Sequence, residues 1–177
     1  MIKISYTFFI LIIFLSFNIN ATTIAVVDIE KLINNFEKYI LILRKIENSQ
    51  EIIAKKIRLE EEKIEKLYIE IEDSKILLEE EEINKLINNY NNELSNFNFL
   101  VEEFNTHYQN EIIRIRKVIL DQIIVLLEIY SKNNNIELVL DSNNYLIASN
   151  TIDITAYIAK ELKNIDIKLD YKDFEKN

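Results

Sequence analysis

The sequence predicts a mainly α-helical protein with a small β-containing base, in which a long antiparallel helical hairpin is inserted into a three-strand plus helix oligomerisation body. Three observations predict it. Two stretches of near-heptad apolar spacing fill the middle of the chain, short β-branched runs lie toward both ends, and 177 residues suit one domain with a long extension. With 49% apolar and 29% charged residues, the chain is too apolar to be disordered and too charged to be a multi-pass membrane protein. Gly, Pro and Cys are absent altogether. That excludes disulfide frameworks, thiolate metal sites, cysteine nucleophiles, Gly-rich phosphate loops and strained nucleophile elbows.

At the amino terminus Lys3 precedes the apolar run Phe8–Phe17, followed by the short polar stretch Asn18 to Ala21. The run is shorter than the roughly 20 residues that span a bilayer, so residues 1–21 read as a secretory signal cleaved after Asn20 or Ala21. An uncleaved anchor is the other reading of the same run. Removal of residues 1–21 takes away one Lys and no acid, moving the formal net charge from −9 to −10. Such a surface opposes binding to nucleic acid or anionic lipid.

Ile24 to Val27, ending at Asp28, reads as a first buried strand. From about Lys31 to Ile71 the spacing predicts one helix, with Ile46, Ile53, Ile57, Ile64, Leu67 and Ile71 on a seam interrupted by Gln50 and Glu60. A second helix is predicted from Glu79 to about Ser131. Its seam alternates steps of four and three through Ile83, Ile87, Tyr90, Leu94, Phe97, Val101, Phe104 and Tyr108, then continues with two slips through Ile112, Ile115, Ile119, Ile123 and Leu126. Asp73 or Ser74 is expected to cap it, and Glu79 to Glu82 place negative charge at its positive end. Two such helices make an arm of about 60 to 75 Å.

Asn133 to Asn135 then closes the helix, because Asn tolerates the left-handed backbone that Gly would otherwise supply. Ile136 to Leu140 is expected to form a strand, Asp141 to Asn144 a tight turn, and Tyr145 to Ala148 its hairpin partner. Asp153 is expected to cap a short helix carrying Ile154, Ile158 and Leu162. Val26, Val27, Leu138, Leu140, Ile154 and Ile158 are the expected apolar residues of the base and of its oligomer contacts. The chain thus divides into a signal over 1–21, a base over 22–30 and 132–164, an arm over 31–131 with its tip near 72–78, and a tail over 165–177. The tail alternates Ile165, Ile167, Leu169 and Tyr171 with charges, which suits either an edge strand or a frayed end. A base this small is marginal alone, so oligomerisation is expected.

A signal, the strand IAVVD, a long charged hairpin, then IELVLDSNNYLIASNTIDIT and a short helix occur here in the order found in the Skp/OmpH family of periplasmic chaperones, which the chain resembles. The most specific parts are Leu138 to Asp141, the segment to Tyr145, and Asp153-Ile154-Thr155; Leu77 to Glu81 is also similar to the family's text after the tip. The resemblance implies a periplasmic homotrimer whose bases join and whose arms enclose unfolded outer-membrane β-barrel proteins, without ATP or any cofactor. Tyr68, Phe97, Phe99, Phe104 and Tyr108 are the client-contact residues it suggests, because aromatic side chains offer area with few rotors to freeze. Family members are basic, whereas this chain is acidic, so no lipopolysaccharide or other lipid site is carried over.

Other constellations have plainer readings. Tyr90, Phe97, Phe104 and Tyr108 read first as a packed seam, with Phe99 standing off it. His107 is the only histidine, too few for a metal site or an evident triad, and reads as a partly packed helical residue. Glu60 to Glu62 and Glu79 to Glu82 fan around a helix axis and read as solvated. Asp28 and Asp141 end strands, but nothing nearby would orient a substrate. Arg114, Arg116 and Lys117 are expected to pair with neighbours such as Glu111 and Asp121. No enzyme activity is expected. A structural or adaptor hairpin of the cell envelope is the alternative to a chaperone.

Overall fold

Residues 22–175 are described by a computed structural model of the chain. The expected signal lies outside them. Strand β1 (Ile24–Val27) is β-branched and buried on both faces from Ala25 onward, the environment of a central strand. It pairs in parallel with β2 (Leu138–Asp141), Ile24 opposite Leu138 and Val27 opposite Asp141. On its other edge the Val26 N–H donates to the Ile152 carbonyl and the Val26 carbonyl accepts from Ile154, both at 2.9 Å.

The third extended piece of the base is therefore residues 152–154, and the hairpin expected between Ile136–Leu140 and Tyr145–Ala148 does not form. A tight two-residue hairpin turn needs left-handed backbone, and among the described residues only Asn135 has a positive φ. Instead the Asp141 carboxylate accepts from the Asn143 side-chain amide at 2.9 Å and residues Ser142–Asn144 wind into one 3₁₀ turn. Leu146 and Ile147 are left 101% and 92% exposed.

The first long helix is also divided. Helix α1 (Ile29–Asn34) starts where Asp28 accepts from the Lys31 N–H at 2.8 Å. It stops at Asn35, and Phe36 turns extended so that its ring enters the core with Leu32, Ile33 and Tyr39. Burying a residue of this size stabilises by about 1.5–3 kcal/mol, enough to offset one or two helical hydrogen bonds at about 1 kcal/mol net each.

Helix α2 (Glu37–Ser74) and helix α3 (Glu80–Asn134) then form the hairpin, about 57 and 80 Å long. Asp73 and Ser74 close the last turn of α2 instead of capping α3, with the Ser74 carbonyl accepting from Leu77 and Leu78. Glu79 occupies the N-cap position without a side-chain cap, and Glu80, Glu81 and Glu82 bring negative charge to the first turn. At the far end Asn135 takes φ 53° and ends α3, the role usually filled by Gly.

Packing is uneven along the arm. One apolar cluster at its root unites Ile42 and Ile46 of α2, Tyr108, Ile115, Ile119 and Ile123 of α3, and the base. Toward the tip the seam residues are only half-buried, and between Ile46 and Ile71 no residue of α2 is fully buried. Along this span two helices pack without a third element to cover their seam, whereas near the tip the turn helps to bury Ile71. Helix α4 (Thr155–Asn164) completes the root by burying Ile158 and Leu162. Its N-cap position is Ile154; Asp153, one residue earlier, accepts from the Thr155 N–H at 2.8 Å.

The tail is neither an edge strand nor frayed. Residues 165–175 lack regular secondary structure yet run along the hairpin root with Ile167 buried, Ile165, Leu169 and Tyr171 half-buried, and Asp166, Lys168, Asp170 and Lys172 exposed.

Candidate functional site in the arm and the base

Where the arm leaves its root core, the half-buried seam opens into a cleft of about 720 Å³. Ile64 and Leu67 of α2 and Phe97, Phe99 and Leu100 of α3 line it, with Glu60, Lys63, Lys66, Glu93 and Glu103 at its charged rim. A second cleft of about 590 Å³ shares Glu60, Lys63, Lys66 and Leu100 with the first and adds Ile53, Ile57, Leu59 and Phe174. The two form one strip along the hairpin, in which apolar side chains are interleaved with charged and amide ones such as Glu70, Asn89 and Asn96, bordered by the tail. Heptad spacing produces this surface: it directs the seam inward, and residues one step off the seam stay uncovered.

The five aromatic residues suggested for client contact separate into three environments. Phe97 and Phe99 both line the cleft, Phe97 half-buried on the seam and Phe99 62% exposed off it. Tyr68 is exposed nearer the tip and faces Tyr90 at 6.0 Å between ring centroids. Phe104 packs edge-on against Tyr108 at 5.3 Å and against Phe174 at 5.9 Å. Tyr108 is 1% exposed, and its hydroxyl donates to Asp173 at 2.9 Å, so within this chain it presents no surface to a client. Burial first, and then that hydrogen bond, push its pKa up to about 12. Leu59 and Leu100 were not singled out by sequence; Leu59 stands off the seam in a charged stretch and carries no local signal.

In the base, Val26, Val27, Ile154 and Ile158 are buried within the chain's own core, whereas Leu138 is exposed and Leu140 half-buried. Leu146 and Ile147 add an apolar surface that the expected hairpin would have hidden.

The acidic residues of the base hold the backbone together. Asp141 accepts from the Ile29 N–H at 3.1 Å, and the Thr155 hydroxyl accepts from the Asp28 N–H at 2.9 Å. Burial opposes ionisation of Asp141, but hydrogen bonds from Ile29, Asn143 and Ser142 outweigh it and lower its pKa. Bonds from Thr155 do the same for Asp153. Carboxyls held ionised in this way are poor proton donors.

The basic cluster is paired: Arg114 donates to both oxygens of Glu111 at 3.1 and 2.8 Å, Lys117 meets Asp121 at 3.2 Å, and Arg116 meets Glu30 and lies 5.9 Å from the Tyr39 ring centre. His107 is half-buried, its ring edge-on to Tyr108 and Phe174. Among the described residues no cluster of His, Asp and Glu is placed to hold a metal ion, and no helix is long and apolar enough to cross a membrane.

A long two-helix arm with a strip of apolar side chains, rooted in a small base made from both sides of the hairpin, defines an arm-and-base class of proteins. Residues 23–162 match the family of OmpH-like outer membrane proteins, and the chain belongs to that family. Its fold is similar to the crystal structure of a candidate outer membrane chaperone (OmpH-like) from Caulobacter crescentus CB15, with a TM-score of 0.64 and 9% identity over 88% of this chain and 92% of that one. No match was found among curated proteins.

Proposed function

We propose that this protein is an ATP-independent holdase chaperone of the periplasm, which binds unfolded outer-membrane β-barrel proteins between helical arms and prevents their aggregation. The observation that carries this reading is the strip of apolar side chains around Phe97 and Phe99, open to solvent and interleaved with charge. An unfolded barrel strand exposes apolar side chains on alternate positions and aggregates unless they are covered. Each aromatic ring covered contributes about 1.5–3 kcal/mol, so several weak contacts hold a client without reading its sequence. Membership of the OmpH-like family supports a chaperone role.

Function in a homotrimer is part of the proposal. Leu138, Leu146 and Ile147 leave apolar side chains of the base uncovered, of the kind that a second copy would cover, and three arms would then surround one client. Residues 22–30 and 132–164 act as the joining base and 31–131 as the arm. The signal over 1–21 delivers the chain to the periplasm. The acidic charge argues for apolar capture over electrostatic steering, and against nucleic-acid or lipid binding. The role is not enzymatic.

A second reading, an adaptor hairpin of the cell envelope, rests on the tip, where Ile76 and Leu77 are exposed. Light scattering of a barrel protein diluted from urea, with and without residues 22–177 and at two salt concentrations, separates the two. Suppressed aggregation near one trimer per client with little salt dependence is expected. No suppression at any ratio would leave the adaptor role.

A further inference from the structure

Four of the nine hydrogen bonds that hold the tail engage its main chain, and the other five reach the side chains of Asp166, Asp170, Tyr171 and Asp173. The Lys38 Nζ donates to the Ile167 carbonyl at 3.2 Å, and the Arg114 guanidinium to the Asp170 carbonyl at 2.8 Å. Glu111 accepts from the Lys172 N–H at 2.9 Å, and His107 Nε2 lies 2.8 Å from the Lys172 carbonyl, which can only accept. These four main-chain contacts are available to any extended chain, whereas the side-chain bonds favour the tail's own sequence. What the groove reads in the side chains is a period of two: Ile165, Ile167, Leu169 and Tyr171 turn inward while the charged residues between them face water. A strand of an outer-membrane barrel has that same alternation. At its end the tail runs into the client strip, because Phe174 and Glu175 line the cleft that continues to Leu100.

We propose that the groove between α2 and α3 at Lys38, His107, Glu111 and Arg114 is a binding site for an extended polypeptide segment of alternating apolar and polar residues, and that residues 165–175 are its built-in competing occupant. This rests on the chaperone reading and deepens it: a client strand entering the strip displaces the tail and extends its own contact toward the root. Because the tail is tethered, it competes at a high effective concentration. Apparent client affinity falls by the fraction of chains whose groove is open, so the tail sets a threshold that short or poorly alternating segments do not pass.

The chain has no cysteine, so a lock can be introduced cleanly. The Ser49 Oγ and an Asp173 carboxylate oxygen are 3.2 Å apart, so Ser49→Cys with Asp173→Cys brings two thiols near each other, and loss of free thiol on oxidation reports that the tail is locked. The probe is a fluorescein-labelled peptide with the sequence of residues 165–174, read by anisotropy on the reduced and oxidised forms, on wild type, and on Phe174→Ala. Oxidation is expected to weaken peptide binding at least about tenfold, Phe174→Ala to strengthen it relative to wild type, and unfolded barrel protein to compete the peptide away. Equal binding by the oxidised and reduced forms would overturn the proposal, as would a client that the chain keeps in solution but that leaves the peptide bound. Failure of wild type to suppress client aggregation, with peptide binding still blocked by the lock, would sink the chaperone reading and leave the groove assigned.

Discussion

The hydroxyl of Tyr108, buried midway along α3, donates a hydrogen bond of 2.9 Å to the carboxylate of Asp173, 65 positions later in the tail. Tyr108→Phe removes this bond while keeping the ring, and is expected to cost about 1 kcal/mol in urea denaturation. The raised pKa has a defined sign. A phenol that ionises near 12 when folded and near 10 when unfolded stabilises below pH 10, and that contribution is lost as pH climbs from 10 toward 12. Titration of tyrosinate absorbance should show a late-ionising component in wild type that the variant lacks.

Glu111 occupies a helical position facing the root and would be an error there without its partners. Arg114 holds its carboxyl below the usual range, burial opposes this, and the Lys172 N–H adds to the lowering. Its stabilisation is therefore full above the ordinary carboxylate pKa of about 4.3 and is lost as pH falls through the lower folded value. Glu111→Ala should cost about 1–3 kcal/mol at pH 7, with the gap to wild type narrowing in melts below pH 4.

Ile119 and Ile123 are completely buried at the root. Truncating Ile119 to Ala is expected to lower stability by about 2–5 kcal/mol in equilibrium denaturation. Half-buried Ile64, far out on the arm, should lose clearly less by the same substitution, since its surroundings already admit water.

Leu146 and Ile147 contribute almost nothing to the single chain, so Leu146→Lys with Ile147→Lys should change its unfolding by no more than about 0.5 kcal/mol. Sedimentation equilibrium of the same variant should show a loss of trimer. A trimer as tight as wild type would remove these residues from the proposed contact.

Phe99→Ser is expected to leave the melting curve within about 0.5 kcal/mol of wild type while weakening suppression of client aggregation. Unchanged suppression by this variant, and by Phe99→Ser combined with Leu100→Ser, would exclude the strip as the holding surface.

Heptad spacing made the two long helices and the Phe97–Phe104 seam legible, because an amphipathic helix encodes its packing in its own sequence. Pairing among Arg114, Lys117 and their acidic neighbours was legible for the same local reason. Three features depended on distant partners and were not. Phe36 leaves its helix because a core made by residues a hundred positions away receives its ring. The segment at 152–154 takes the place beside β1 because a parallel neighbour carries no turn to mark it. The tail's alternation was visible, but the same pattern fits an edge strand, and only the main-chain partners Glu111, His107 and Arg114 distinguish a groove-bound segment. The full burial of Tyr108 was not legible for a related reason: the tail contributes to its covering.

The uneven burial along the hairpin has a mechanical consequence. Clamped at the root by Ile46, Ile115 and Ile119, soft between Ile46 and Ile71, and pinned again by Ile71 near the turn, the arm is a cantilever whose bending is concentrated in its middle span. A load at the outer end swings the distal third as a unit and leaves the base undisturbed. In the proposed trimer, three such levers would widen around cargo of different girth without straining the joint at the base.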